Sequence, residues 1–128
     1  FLVVNGDIFT DIAFWRLRMP PGSDAHLVFV PNPAQHPQGD FGLRDGHARP
    51  RSADEPSYTF AGVGLYRAHL FEGCTDGAFP LKPLLLRAME RNACTAELHT
   101  GLWEDVGTPQ RLAQLDERLF GARKAGDV

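Results

Sequence analysis

Phe1-Leu-Val-Val-Asn-Gly-Asp7 is the stretch on which the reading of this chain turns. Phe1 to Val4 is an unbroken apolar run ending in β-branched residues, the pattern of a strand buried on both faces as in a parallel sheet. The run stops at Asn5-Gly6-Asp7, so Asp7 sits where the strand gives out. In open α/β sheets the crevice beyond the carboxyl ends of the strands is where ligands bind, which makes Asp7 a candidate ligand or catalytic group. The same tripeptide is ordinary turn chemistry, and on these residues alone both readings stand. A central strand also needs neighbours on both edges and helices on both faces. Phe1 is already inside such a strand, so the expectation is that an N-terminal part of the domain is missing from this chain.

Downstream, Thr10 or Asp11 can cap a short helix with Ile12, Trp15 and Met19 on one face, stopped by Pro20-Pro21-Gly22. Ala25 to Pro31 reads as a second buried strand, giving a strand, helix and strand in the order of a right-handed crossover. His26, at its start, reads as a partly exposed strand residue with no metal-type partners. Residues 32–39 are rich in Pro and Gln. Asp40-Phe-Gly-Leu43 and the Arg44-Asp-Gly-His47 turn then form a hairpin pattern, and residues 48–57 read as a mobile, solvated loop. Asp40-Phe41-Gly42 matches the kinase metal-binding tripeptide by chance, since no catalytic loop or nucleotide loop accompanies it.

Tyr58 to Tyr66 reads as a strand interrupted by Gly62 and Gly64, a pattern that marks a bulge or a close approach to the backbone. It is no dinucleotide fingerprint, because Arg67 stands at the third glycine position. Arg67 to Phe71 suggests a helical turn ended by Gly73. Leu81, Leu84, Leu85, Ala88 and Met89 form the stripe of a core-facing helix over residues 82–91, with Pro83 in its first turn. Residues 94–99 and 102–106 read as strands. Thr108 as N-cap and Pro109 at the first helical position open a last helix with Leu112, Leu115 and Leu119 on one stripe, ending at Gly121 before a frayed tail.

With 128 residues, 43% hydrophobic and 23% charged, the chain has the size and composition of one globular domain. A net charge of -3, without a dense Lys or Arg run, argues against nucleic acid as a partner. Its apolar stretches are too short to span a membrane. Cys74 and Cys94 have no metal spacing and read as free thiols of a cytoplasmic protein.

Asp105 repeats the setting of Asp7, near a strand end and just before a turn into a helix. Two such carboxylates could share one hard cation, with water and phosphate oxygens completing an octahedron. Each also has a local reading as a turn or cap residue.

Beyond these residues, the chain resembles the sugar-1-phosphate nucleotidyltransferases. The likeness is carried by residues 1–11, by Asp40 to Leu43, Thr59 to Tyr66 and Phe79 to Leu85, and by Gly101-Leu-Trp-Glu-Asp-Val-Gly-Thr-Pro109, in the family's order. Within the family it is most similar to the branch that uridylylates N-acetylmuramate 1-phosphate in bacterial cell-wall recycling. The resemblance implies an α/β, Rossmann-like three-layer nucleotidyltransferase fold with a mixed, mainly parallel sheet, incomplete at the N-terminus. Residues 1–128 would then be the C-terminal portion of one such domain.

The resemblance further implies Mg²⁺ held by Asp7 and Asp105, with Asn5, Gly42, Ala61 and Gly62 along the substrate pocket. A glycine suits that place because a backbone without a side chain can approach sugar hydroxyls. The implied substrates are a sugar 1-phosphate and a nucleoside triphosphate, N-acetylmuramic acid 1-phosphate and UTP in the nearest branch. Mannose 1-phosphate with GTP, glucose 1-phosphate with dTTP, and a non-catalytic regulatory module are the alternatives. The family's glycine-rich triphosphate loop does not occur in these residues, so the chain alone is expected to be inactive. Residues 48–56 offer Glu55-Pro56 where relatives carry Glu-Lys-Pro, and receive no role. An exposed sheet edge could pair with a second copy.

Overall fold

The computed structural model describes residues 1–73, 81–107 and 109–126. In chain order its strands are β1 (Leu2–Val4), β2 (Ile8–Thr10), β3 (Ala25–Val30), β4 (Phe41–Arg44), β5 (His47–Pro50), β6 (Ser57–Tyr66), β7 (Cys94–Leu98) and β8 (Trp103–Asp105). The helices are α1 (Leu81–Glu90) and α2 (Pro109–Gly126), with single 3₁₀ turns at Phe14–Arg16 and Ala68–Phe71. These elements fall into two compact units, one of Phe1–Val4 with Ala13–Thr100, the other of Asn5–Ile12 with Gly101–Val128.

The first unit is a sheet in the order β1-β6-β3-β7-β5-β4, with a further β4–β6 pairing that closes β6, β3, β7, β5 and β4 into a ring. All six residues of β3 are buried, as its apolar sequence predicts. Leu27 and Phe29 pack in one cluster with Leu84, Leu85, Ala88 and Met89, the stripe expected of α1. Burying each such large side chain contributes about 1.5–3 kcal/mol. Pro83 lies in the first turn of α1, where its missing N–H costs nothing. The helix stops at Asn92, in the left-handed conformation at φ 58°, while the Ala93 N–H returns to the Ala88 carbonyl at 2.8 Å. Asp45 and Gly46, both at positive φ, turn β4 into β5 as the Asp-Gly pair predicts.

Several expectations are corrected. Among the described residues β3 and β7 form the one parallel pair, so the sheet is mixed and mainly antiparallel. A continuous buried run reports that both faces are covered, and says nothing about the direction of the neighbours. β1 is an edge strand whose residues are all exposed, Leu2 and Val3 at 42%, although its sequence is that of a buried one. Apolar composition gives the capacity for burial, whereas the described partner of β1 is β6 alone.

The helix expected after Thr10 is a single 3₁₀ turn, with Trp15 74% exposed and Ile12 and Leu17 buried. Thr10 does not cap it. Its hydroxyl donates to the Leu102 carbonyl at 2.6 Å and accepts from the Ile12 N–H at 3.2 Å, which ties down the end of a strand the sequence reading did not see. The helical crossover between β1 and β3 is therefore absent, and β6 lies between them. Residues 48–50 belong to β5, so the loop is confined to 51–56, where Arg44 pairs with Glu55 and the Arg51 guanidinium donates to the Gly39 carbonyl.

The second unit is small. β2 and β8 pair antiparallel, Ile8 opposite Asp105 and Thr10 opposite Trp103, and α2 follows. The helix continues to Gly126, past the expected stop at Gly121. Of the predicted leucine stripe only Leu115 is buried, while Leu112 and Leu119 are exposed. The readings made at Cys74, Phe79, Pro80 and Thr108 lie outside the described residues.

Candidate active site

The β2–β8 pairing decides where the two aspartates stand. Ile8 is opposite Asp105, so Asp7, one residue before it, lies beside the turn that leaves β8. The Val106 N–H donates to the Asp7 carbonyl at 2.8 Å, which extends the ladder by one bond and holds the two backbones together. The Gly107 N–H donates to Asp105 Oδ1 at 2.9 Å. A Cβ placed on Gly107 would be 2.6 Å from Asp7 Oδ2 and 3.1 Å from Asp105 Oδ1. Both carboxylate oxygens therefore lie within 3.1 Å of one point beside the glycine. Residues 98 positions apart in sequence meet at this point, as the paired-carboxylate reading requires.

Chemically, this is a hard oxygen donor set on an accessible turn. Asp7 is exposed and Asp105 half-buried. Two carboxylates meeting beside a residue with no side chain suit a small divalent cation, which takes oxygen ligands and keeps several positions for water or phosphate. Among the described residues no group of three or more His, Cys, Asp or Glu side chains is placed to hold a metal.

The remaining expected residues are distributed unevenly. Asn5 is exposed on the connection from β1 to β2, in the same unit as the aspartates. Gly42, Ala61 and Gly62 belong to the other unit. Gly42 is buried in β4 opposite Arg49, and a Cβ there would meet its nearest neighbours at 3.6 and 3.7 Å, an ordinary contact. Packing within the sheet does not demand a glycine at this position. Ala61 is fully buried, backbone included. Gly62 sits at φ 79° where the register of β6 on β3 slips, Leu27 facing Gly64 but Phe29 facing Phe60, and this is the bulge the sequence announced. Gly64 has a different reason to be a glycine: the Tyr66 ring occupies the space a side chain would fill.

His26 is buried, contrary to expectation, and has partners. Its Nδ1 meets Thr95 Oγ1 at 2.8 Å and its Nε2 meets Glu97 Oε1 at 2.7 Å, while Thr95 and Ser23 hydroxyls are 3.0 Å apart. In outline this is a hydroxyl, a base and a carboxylate. Thr95 and Ser23 are buried, however, so no substrate can reach either hydroxyl, and the network satisfies the polar groups of two parallel strands. Asp40 is likewise structural, accepting from the Phe60 N–H at 2.8 Å and meeting His36 Nε2 at 2.9 Å. The pocket of about 260 Å³ beside it is lined chiefly by Phe41, Phe60, Leu81 and Leu85. Cys94 is buried in β7, and burial pushes its thiol up to about 12. Such a thiol is inert as a nucleophile at neutral pH. Gly107 is the site residue that the sequence reading missed. The signal is a glycine between an acidic strand end and a helix.

No family model matches the chain. In sequence it is 43% identical, over 97% of its length, to the N-acetylmuramate alpha-1-phosphate uridylyltransferase of Neisseria meningitidis serogroup B (strain ATCC BAA-335 / MC58). In structure it is similar, with a TM-score of 0.62 over 88% of its length, to a Bacillus anthracis protein described as a glucose-1-phosphate thymidylyltransferase and crystallised in complex with a sucrose. At 18% identity that second likeness speaks to the fold alone. The chain spans 56% of the first protein and 51% of the second, about half the length of each.

Proposed function

We propose that this chain, related in sequence to the sugar-1-phosphate nucleotidyltransferases over nearly all of its length, supplies the C-terminal part of one nucleotidyltransferase domain that makes a nucleotide sugar. The observation that carries the reading is the convergence of Asp7 Oδ2 and Asp105 Oδ1 beside Gly107. The substrates proposed are N-acetylmuramic acid 1-phosphate and UTP, by the 43% identity to an enzyme named for that reaction. Asn5, Gly42 and the Ala61–Gly62 step are proposed to line the substrate pocket, and the setting is cytoplasmic.

In this mechanism an anionic oxygen of the sugar 1-phosphate attacks the α-phosphorus of the triphosphate. The new P–O bond forms as the bond from the α-phosphorus to its bridging oxygen breaks, and pyrophosphate leaves with the electron pair. No proton has to move, because the nucleophile is already ionised at neutral pH, and no covalent enzyme intermediate is needed. Catalysis reduces to holding two anions in line and offsetting their charge. Asp7 and Asp105 are the residues that would hold Mg²⁺, and the Gly107 N–H fixes the direction of the Asp105 carboxylate. When bound there, the ion supplies charge neutralisation to the phosphates. The Thr95, His26 and Glu97 network takes no part.

The test uses the full-length protein, with pyrophosphate release followed from UTP and N-acetylmuramic acid 1-phosphate. Asp7→Ala and Asp105→Ala should each lower the rate about a thousandfold, equivalent to about 4 kcal/mol of lost charge stabilisation. Near-full activity in both variants with Mg²⁺ present would overturn the site. Activity with a different sugar phosphate or base, and none with this pair, would move the substrate while leaving the aspartates in place. The 128 residues on their own should release no pyrophosphate, because they span only 56% of the relative.

A further inference from the structure

We infer that Gly107 is a positioning residue for the carboxylate pair, kept free of a side chain so that Asp7 can bring its oxygen up to the turn leaving β8. The inference rests on the metal-site reading above. Turn glycines are usually required by the backbone, as Gly22, Gly39, Gly46, Gly62 and Gly73 are here, with φ between 68° and 85°. Gly107 does not share that conformation. Its backbone is open to any residue, and the requirement lies in the space around it.

That space is filled by carboxylate. A Cβ on Gly107 would stand 2.6 Å from Asp7 Oδ2, 3.4 Å from Asp7 Cγ and 3.1 Å from Asp105 Oδ1. The first distance is far inside contact, so something must give. The backbone on either side is held by the bond from the Val106 N–H to the Asp7 carbonyl and by that from the Gly107 N–H to Asp105 Oδ1. The Asp7 side chain is exposed and free to rotate outward. An added methyl therefore displaces the Asp7 carboxylate and leaves the turn standing. One residue thus orients Asp105 through its N–H and admits Asp7 through its missing side chain. Altering a residue that orients a metal's ligands weakens such a site by about 10–100-fold.

The experiment uses Mn²⁺ as a paramagnetic probe of the ¹⁵N-labelled full-length protein, reading the broadening of the amide signals of Asp7, Val106 and position 107. Gly107→Ala should need at least about tenfold more Mn²⁺ for equal broadening, with the melting temperature unchanged. In an Asp7→Ala background the same substitution should add nothing, because the group it displaces has gone. Unchanged Mn²⁺ response in Gly107→Ala, while Asp7→Ala and Asp105→Ala weaken it, overturns the inference and leaves the metal site standing. Additive losses in the double variant overturn it too, as would a lowered melting temperature that Asp7→Ala does not restore. If neither aspartate variant alters the broadening, the metal-site reading itself falls and takes the inference with it.

Discussion

Gly64 in β6 and Gly107 after β8 are both glycines in ordinary backbone conformations, and in both cases a side chain would collide with what already occupies the space. The occupants differ. Over Gly64 lies the ring of Tyr66, with Oη 2.6 Å and Cζ 2.8 Å from the position a Cβ would take. That ring is 2% exposed and packs edge-on to Phe71 at 5.9 Å. Beside Gly107 lie two carboxylates, one of them exposed. The first glycine makes room for packing, and its logic is internal to the fold. The second makes room for like charges brought together, which costs energy in the absence of a cation and has no return in packing. A missing side chain thus marks stability at one place and chemistry at the other, and the neighbour's identity tells which.

The largest effect that separates the two is at Gly64. Gly64→Ala drives a methyl into a buried ring that has nowhere to turn, and overpacking of this kind costs about 1–3 kcal/mol. Urea unfolding should record a loss of that size, with the Mn²⁺ response of the Asp7 amide unaltered. Gly107→Ala should reverse the pattern. Equal destabilisation by both substitutions would abolish the distinction.

The legibility of the sequence divides along the same line. Where a side chain's destination is apolar packing, period and composition announce it. β3 follows from an apolar run, α1 from the stripe Leu84, Leu85, Ala88 and Met89, the hairpin from Asp45-Gly46, and the bulge from Gly62. Where the destination depends on a distant partner, local pattern is silent. β2 is three residues whose identity as a strand comes from pairing with β8, about 95 positions away, and no local period reveals it. His26 reads as half-exposed because Thr95 and Glu97, which bury and satisfy it, arrive from β7. The sheet's direction failed for the same reason, since burial on two faces is common to parallel and antiparallel surroundings. Asp7 and Asp105 were each legible as strand-end carboxylates, and the resemblance paired them. The empty place at Gly107 that lets them meet is a three-dimensional fact.

A second, smaller effect probes the packed region through pH. Cys94 titrates near 9.0 when unfolded and is pushed up to about 12 by burial, and burial also raises Tyr66 above its ordinary 10.0. Both groups are neutral when protonated, so the folded state holds these protons more tightly than the unfolded chain does. The stability this confers is complete below pH 9 and drains as pH rises toward the folded values. Each pH unit above an unfolded value costs up to about 1.4 kcal/mol per group, so stability should fall by roughly 2 kcal/mol between pH 8 and pH 10, most of it from Cys94. Cys94→Ala should flatten the part of the decline that begins near pH 9. A decline unchanged in that variant would mean that the thiol does not stay buried and protonated.

The smallest expected effect lies in α2, where the sequence promised a stripe and the structure delivers one buried leucine. Leu115 is 6% exposed and Leu112 is 47% exposed, three residues apart on neighbouring turns. If the stripe packs as its spacing suggests, Leu112→Ala should remove buried methylenes and cost about 2 kcal/mol or more. With the leucine facing water as observed, the substitution should change the unfolding free energy from urea titration by no more than about 0.5 kcal/mol. Alanine's better helix propensity offsets part of even that loss. The outcome bears on the glycine comparison directly. The unit that carries the carboxylates pairs two three-residue strands and, among the described residues, buries Ile12 and Leu115 as its large apolar side chains, so the β2–β8 ladder and the bonds around Asp7, Asp105 and Gly107 carry much of its geometry. A large cost at Leu112 would mean instead that packing along α2 holds the turn, and a methyl at position 107 would then meet a stiffer neighbourhood than the argument for Asp7's displacement assumes.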